Sequence, residues 1–482
     1  MHDLAQRALD TAVHLGVEYA DVRIVRRREQ AASVKGGAVQ ALSLGETEGF
    51  GVRVLVDGAW GFASSGRMDG PEADRIADLA VRIARASARV RRQPVMLADR
   101  PVVEGRYETP IDEDPFEVPI DQTLELLLSA EAGLRGVDGV VTSQADYHAF
   151  REWKAFASSD GSRTEQVITH VGASLEVNAA RGDELQRRTF PESGGGYRAA
   201  GYEHIRGLDL EARAPALAEE AVELLSAPQL PPGRRTIVLH PSQLYLQIHE
   251  SCGHPTELDR VFGTEAAYAG TSFLTTDKLE AGFRYGSDLV TLVADASTPG
   301  GLGTFGWDDE GVVAQRVPLV DAGILSGYLS SRETAPRIGR SSSGSVRADG
   351  WNRLPLIRMT NINLEPRPGM SLDDIVADTE DGLFLRSNRS WSIDDRRLNF
   401  QFGVEVAREI KDGKLGQVYR NATYTGITPR FWGSCDAVAD ASTWTLVGIT
   451  NCGKGQPGQG MHVGHGCSGA RFRDVEVGVG RS

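Results

Sequence analysis

A proline-rich segment near the middle of the chain divides it into two parts. A stretch with helical composition, residues 208–227, runs into Pro228, Pro231, Pro232 and Gly233. The helix cannot continue there, because proline lacks the backbone N–H and clashes with the preceding turn. The chain of 482 residues is also longer than one hydrophobic core usually supports. We therefore predict two domains, residues 1–230 and 231–482.

Residue patterns in the first half predict helices packed on an antiparallel sheet. Val52, Val54 and Val56 recur at every second position up to Asp57-Gly58, which is a signal for a type I′ hairpin turn. Residues 70–90 and 121–128 then repeat apolar side chains at helical spacing. The predicted fold class is α+β.

The second half is predicted to be strand-rich, with one important helix. Hairpin signals occur at residues 321–323 and at Asp412-Gly413. Pro241-Ser242 is typical of a helix start, and the helix is expected to run through Ile248. The C-terminal domain should therefore carry the residues that follow Ile248 at the end of a helix.

Composition excludes several classes of function. The chain has 66 Asp and Glu against 52 Lys and Arg, which argues against a nucleic-acid surface. No stretch approaches the roughly 18 apolar residues of a membrane span, and the first residues lack the apolar core of a secretory signal. The four cysteines are too few for a disulfide framework. We expect a soluble cytoplasmic protein that binds neither nucleic acid nor membrane.

The segment His249-Glu250-Ser251-Cys252-Gly253-His254 is one residue longer than the H-E-x-x-H zinc-protease motif. In an ideal α-helix, positions i and i+5 lie ~140° apart and ~7.5 Å along the axis, too far apart for one zinc ion. Gly253 and Pro255 favour an end to the helix near this point, which would swing His254 back. A π-helical turn would have the same effect.

Two imidazoles need a third protein ligand to make a catalytic zinc site. Spacing alone does not choose among the candidates, which are Cys435, Cys452, Cys467, His462, His465 and a carboxylate such as Glu257. We interpret Cys252 and Cys435 as packing residues.

Three segments together resemble the TldD/PmbA family of metallopeptidases. They are His249-Glu250-x-x-x-His254, Asn451-Cys452-Gly453-Lys454 and the early Gly51-Val52-Arg53-Val54-Leu55-Val56-Asp57-Gly58-Ala59-Trp60-Gly61-Phe62-Ala63. The resemblance covers nearly the whole chain. The H-E-x-x-x-H motif is similar to that of the TldD-like, active branch rather than the metal-free PmbA-like branch.

The resemblance implies a zinc-dependent endopeptidase that hydrolyses unstructured peptides. One Zn²⁺ per chain would be bound by His249, His254 and Cys452, and Glu250 would act as general base towards a metal-activated water. His462 and His465 are further candidates, as alternative ligands or on the substrate side. The resemblance also implies a dimer, either with a second copy or with an inactive PmbA-like homologue. The alternatives are a non-catalytic subunit stabilised by zinc and a zinc amidase that acts on a small molecule.

Two further motifs are interpreted as a turn and a loop and not as binding sites of their own. The acidic triplet at residues 308–310 is predicted to be a solvated turn before Gly311. Residues 301–306 fit G-x-G-x-x-G, but no helix pattern follows, so we predict a glycine-rich loop near the cleft and not a dinucleotide site.

Overall fold

The computed structural model of the chain describes residues 2–191, 193 and 196–479. It has the α+β architecture that the sequence predicts. Within these ranges, none of the helices combines the length and the apolar character that crossing a membrane requires.

Eight strands of the first half form one sheet in the described part of the chain. They are β1 (Tyr19–Lys35), β2 (Ala38–Val56), β3 (Ala59–Ser65), β4 (Glu104–Glu108), β5 (Val140–Ser158), β6 (Arg163–Arg181), β7 (Glu184–Phe190) and β8 (Tyr197–Arg198). Their order is β3-β2-β1-β5-β6-β4, and β7 and β8 both pair with β6. The predicted hairpin between β2 and β3 is confirmed, since Asp57 and Gly58 have φ angles of 47° and 64°, as a type I′ turn requires.

The two faces of this sheet differ in character because successive side chains point to opposite sides. One face packs apolar side chains such as Val22 and Tyr147 against helices. The helices of this half are α1 (His2–His14), α2 (Gly70–Ala88), α3 (Ile120–Arg135), α4 (Glu203–Gly207) and α5 (Leu210–Ser226). The other face carries buried charged side chains, among them Arg23 and Arg53, that contact the C-terminal half.

The second half contains a closed barrel. The strands of the second half are β9 (Gly233–Leu239), β10 (Leu292–Asp295), β11 (Arg316–Asp321), β12 (Ile324–Leu325), β13 (Val346–Arg347), β14 (Leu356–Ile357), β15 (Ile362–Leu364), β16 (Asp381–Ile393), β17 (Asn399–Lys411), β18 (Lys414–Tyr419), β19 (Ala422–Ile427), β20 (Cys435–Val438), β21 (Thr445–Lys454), β22 (Gln459–Cys467) and β23 (Ala470–Val479). Its helices are α6 (Pro241–Ile248), α7 (Leu258–Val261), α8 (Thr276–Glu280), α9 (Leu372–Ala377) and α10 (Thr428–Gly433). Strands β16, β9, β23, β19 and β17 pair in that order, and β17 also pairs with β16 to close the ring. Strands β21 and β22 form a separate two-stranded ribbon.

The prediction of a solvated turn at residues 308–310 is wrong. All three carboxylates are buried where the barrel half meets the charged face of the N-terminal sheet. Asp309 lies 2.8 Å from the ammonium of Lys154, and Glu310 lies 3.3 Å from the guanidinium of Arg53. The sheet supplies cations that compensate the burial of these charges, and the sequence of the triplet alone does not reveal them.

Candidate metal centre

The helix that carries the first candidate ligands is entirely buried. Helix α6 begins directly after β9, where the imidazole of His240 accepts a hydrogen bond from the N–H of Ser242. Inside the core, Gln243 and Gln247 both hydrogen-bond the hydroxyl of Tyr424. These bonds satisfy the polar side chains of the helix and fix its position against the barrel.

The helix widens into a π-helical turn at His249–Gly253, which is one of the two deformations expected from the motif. The N–H of His254 bonds the carbonyl of His249, five residues back. The two imidazoles therefore lie together, with ring centroids 4.8 Å apart and planes at 85°. A side chain at Gly253 would not fit, since a Cβ there would lie 2.3 Å from the sulfur of Met359.

Cys452 reaches these histidines from the far end of the chain. The potential ligand atoms of His249, His254 and Cys452 all lie within 4.8 Å of one another, and the three residues are buried. The Sγ of Cys452 is 3.8 Å from the Nε2 of His254. The structure thus brings together the three residues that the family resemblance implies as metal ligands.

The strand that carries Cys452 is shaped and anchored for this approach. Between Ile449 and Cys452, β21 has one residue more than its partner β22, so the strand bulges beside the site. Two residues on, the fully buried Lys454 donates to Asp259 at 2.7 Å and lies 3.5 Å from Glu257. The lysine of the Asn-Cys-Gly-Lys segment is therefore an internal anchor for the strand.

Hydrogen bonds behind the two histidines orient their rings. The Nδ1 of His254 lies 3.0 Å from the carboxylate of Glu257, so it donates and leaves Nε2 as the ligand atom. The Nδ1 of His465 donates to the carbonyl of Ile362 at 3.3 Å, which makes its Nε2 an acceptor. The Nδ1 of His249 lies 2.8 Å from that acceptor, so it carries a proton and leaves its own Nε2 free. Both rings therefore present a lone pair for a metal.

The electrostatics of the three residues suit a zinc ion. Burial lowers the pKa of His249 and of His254, so both imidazoles are neutral at pH 7. Burial opposes ionisation of Cys452, but the neighbouring His254 and Arg358 outweigh it, and the pKa of this thiol is lowered. Two neutral imidazoles and a readily ionised thiol are a donor set that zinc prefers.

A cleft of about 620 Å³ opens over this cluster. Glu250 lines it beside the two histidines and Cys452, as does the bulged segment of β21. The guanidinium of Arg397 donates to the Glu250 carboxylate at 2.5 Å and lines the same cleft. Arg397 could not be predicted from the sequence, because it lies 147 residues from its partner and no motif surrounds it.

The other candidate ligands lie elsewhere. Glu257 and His465 contact the Nδ1 atoms of the two histidines and stand behind them, whereas His462 points to the opposite side of β22. Cys435 and Cys467 are buried in the core away from the cluster. Cys252 is also a core residue, as predicted.

Known proteins resemble this chain along its whole length. Models of PmbA/TldA metallopeptidases match it in three segments, domain 1 at residues 20–84, the central domain at 113–227 and the C-terminal domain at 232–478. A metalloprotease of Methanothermobacter thermautotrophicus is 31% identical over 96% of both chains. A zinc metalloprotease TldD homolog of Saccharolobus solfataricus is 24% identical over 41% of this chain and 42% of that protein.

A solved structure shows the same fold. The crystal structure of TldE from Thermococcus kodakarensis matches 99% of both chains with a TM-score of 0.73 at 16% identity. The three family segments, the 31% identity and the motif on the π-helical turn agree. The chain belongs to the PmbA/TldA metallopeptidase family, in its TldD-like branch.

Proposed function

We propose that this chain is a zinc-dependent endopeptidase that hydrolyses unstructured peptides. The observation that carries the proposal is the position of Glu250, which lines the same cleft as the buried cluster of His249, His254 and Cys452. Three protein ligands leave a coordination position for water, as in catalytic zinc sites, whereas structural sites use four. The name of the zinc metalloprotease from Saccharolobus solfataricus supports zinc as the metal.

The side chains divide the chemistry among themselves. A zinc ion at the cluster would act as a Lewis acid towards water and towards the scissile carbonyl. Glu250 accepts the proton of the attacking water and passes it to the leaving amine. Arg397 holds the Glu250 carboxylate in position through its short hydrogen bond. Glu257 and His465 keep the ligand histidines in the required tautomers.

The cleft suits an extended peptide better than a small amide. The bulged segment of β21 lines the cleft from Gly448 to Gly453, and in the described part of the chain β22 is the one strand that pairs with β21. A peptide added along this edge would be bound through main-chain hydrogen bonds, which do not depend on its side chains. Broad specificity for flexible peptides follows from this arrangement.

Replacement of Glu250 tests the proposal directly. Glu250→Gln should retain one zinc per chain but lose at least about 100-fold in hydrolysis of an unfolded peptide, because the proton acceptor is gone. Elemental analysis and a fluorogenic peptide assay measure the two quantities. Glu409→Gln, on strand β17 of the barrel, serves as a control with wild-type rates. A Glu250→Gln enzyme as active as wild type would refute the mechanism.

The proposal includes the cytoplasmic location and the dimer that the family implies. The partner is either a second copy or a PmbA-like homologue. Light scattering of the chain alone and mixed with such a homologue measures the assembly, and a monomer in both samples at micromolar concentration would remove the dimer from the proposal.

A further inference from the structure

A second cavity, of about 210 Å³, lies between the charged face of the N-terminal sheet and the C-terminal half. Its floor is made by side chains from neighbouring positions of β5 and β6, and these form the cross-strand pairs Phe150–His170, Glu152–Ile168 and Lys154–Gln166. Its other walls include the glycine-rich loop at residues 301–306, the following Trp307, Arg347 and His462. The loop expected near the metal cleft therefore lines this second cavity.

The glycine-rich loop is fixed in place by both halves of the molecule. The side chain of Asn361 accepts a hydrogen bond from the N–H of Gly303 at 2.9 Å. Gln166, on the N-terminal sheet, accepts from the N–H of Gly306 and donates to the carbonyl of Trp307, both at 2.9 Å. The wall that this loop contributes is thus held from two sides.

Several polar groups of the cavity lack partners. His170, Trp307 and Arg347 line it, and the His170 Nε2, the Trp307 Nε1 and the Arg347 Nε are buried without a hydrogen-bond partner among the described residues. Buried polar atoms are rarely left unpaired, because removing them from water without a new hydrogen bond is unfavourable. The indole and guanidinium atoms are N–H donors, so a ligand that satisfies them must offer acceptors.

No carboxylate of the described residues forms a salt bridge with Arg347, although Asp309 and Glu152 act on its charge from a greater distance. The other cations of the cavity pair with carboxylates, as Arg27 does with Glu152 at 2.8 Å and Lys154 with the same residue at 3.0 Å. Arg347 is 8% exposed, and its terminal nitrogens donate to the backbone carbonyls of His462 and Met359. A buried guanidinium in this state attracts an anion.

Apolar side chains complete the walls. Phe150, Ile168, Leu302, Phe305 and Met461 line the cavity. The guanidinium carbon of Arg347 lies 5.6 Å from the ring centroid of Phe305, so charge and apolar surface are adjacent. We propose that this cavity binds a small organic carboxylate with an apolar body, whose carboxylate pairs with Arg347 and accepts from Trp307. His249, His254 and Cys452 do not line this cavity, although Thr450 lines both it and the metal cleft, and the inference does not depend on the proposed peptidase activity.

Calorimetric titration of the full-length, zinc-loaded chain tests the assignment. The probes are acetate, benzoate and N-acetylphenylalanine, and benzamide is the neutral analogue of benzoate. Benzoate represents a free organic acid, and N-acetylphenylalanine represents the C-terminus of a peptide. The probe that binds more tightly identifies which of these two sources supplies the carboxylate. Benzoate or N-acetylphenylalanine should bind saturably at one site per chain, and benzamide about tenfold or more weakly than benzoate, because a hydrogen bond to a charged group is the stronger one.

Two variants localise the binding. Arg347→Gln should weaken binding of the carboxylate about tenfold, and Trp307→Phe, which keeps the flat ring but removes the N–H, about threefold. Arg316→Gln, on strand β11, is the matched control and should bind like wild type. Glu250→Gln should bind normally, which separates this site from the peptidase mechanism. The proposal is overturned if none of the carboxylates binds saturably, or if binding is unchanged in both Arg347→Gln and Trp307→Phe.

Discussion

Strand β22 carries two histidines whose side chains have different surroundings on the two faces of the strand. His465 and His462 are three residues apart, so their side chains lie on opposite faces. His465 is fully buried and accepts a hydrogen bond from the ligand candidate His249. His462 lies 2.8 Å from His170 and lines the second cavity instead.

The two sides also differ in how completely their polar groups are satisfied. On the metal side, the Nδ1 of each ligand histidine has a partner, and the remaining Nε2 lone pairs face the cluster. On the other side, the buried Nε1 of Trp307 and Nε of Arg347 have no hydrogen-bond partner among the described residues. Satisfied hydrogen bonds behind the ligand histidines are expected of a site that binds a metal ion. Buried donors without a partner are expected of a site that binds a larger polar ligand.

The largest effect is expected when the metal side loses its thiolate. Cys452→Ser should lose zinc, because serine stays protonated and is a poor ligand for this metal. Cys467→Ser is the matched control, because Cys467 is also buried, at the end of β22. Its Sγ contacts the carbonyl of Pro241 at 3.7 Å instead of the histidines. Elemental analysis of both purified variants checks the prediction. If both variants fold and only Cys467→Ser loses zinc, the metal ligand is Cys467 and the assignment to Cys452 is wrong.

The comparison between the two histidines can be sharpened by removing each in turn. His465→Ala should weaken zinc binding about 10–100-fold, because the ring that orients His249 is gone. His462→Ala should leave zinc affinity at the wild-type value. His465→Gln should fall between them, since its amide oxygen can accept the same hydrogen bond. Competition with a chelator measures the affinities, and equal losses in both alanine variants would show that the effect is one of general packing.

Local patterns predicted much of this molecule, and long-range pairing explains the rest. The β2–β3 hairpin and the start of α6 follow from short segments whose preferences act within a few residues. The deformation of the helix near Gly253 could also be predicted, because the relative positions of residues i and i+5 follow from the geometry of an α-helix. The contact of Arg397 with Glu250 could not be predicted, because the two residues lie far apart in the sequence and no motif spacing relates them.

The acidic triplet shows the same limit in a different form. Three consecutive carboxylates read as solvated when considered alone, because burial of unpaired charge is costly. Their partners Arg53 and Lys154 come from the other half of the chain. Only the packing of the two halves reveals that the residues are compensated, and this same packing encloses the second cavity.

The smallest of the expected effects concerns the pH dependence of stability on the interface side. Burial and the neighbouring Glu310 raise the pKa of Asp308 to about 7, although its oxygens accept hydrogen bonds from backbone N–H groups of Val312 and Val346. In the unfolded chain this carboxyl titrates near 3.9, so over the range between these values the folded state binds more protons. The contribution of Asp308 to stability is therefore full below about pH 4 and is lost as the pH rises through 7, at about 1 kcal/mol between pH 6 and pH 7.

Asp308→Asn should remove this component and flatten the pH dependence of the free energy of unfolding by that amount, whatever its effect on absolute stability. Asp440→Asn, which changes an aspartate that caps a turn outside the interface, should keep the wild-type slope. Denaturant unfolding at pH 6 and 7 measures the slopes, and identical slopes for wild type and Asp308→Asn would show that Asp308 is ionised throughout this range and that the interface compensates it as fully as the metal side compensates its own polar groups.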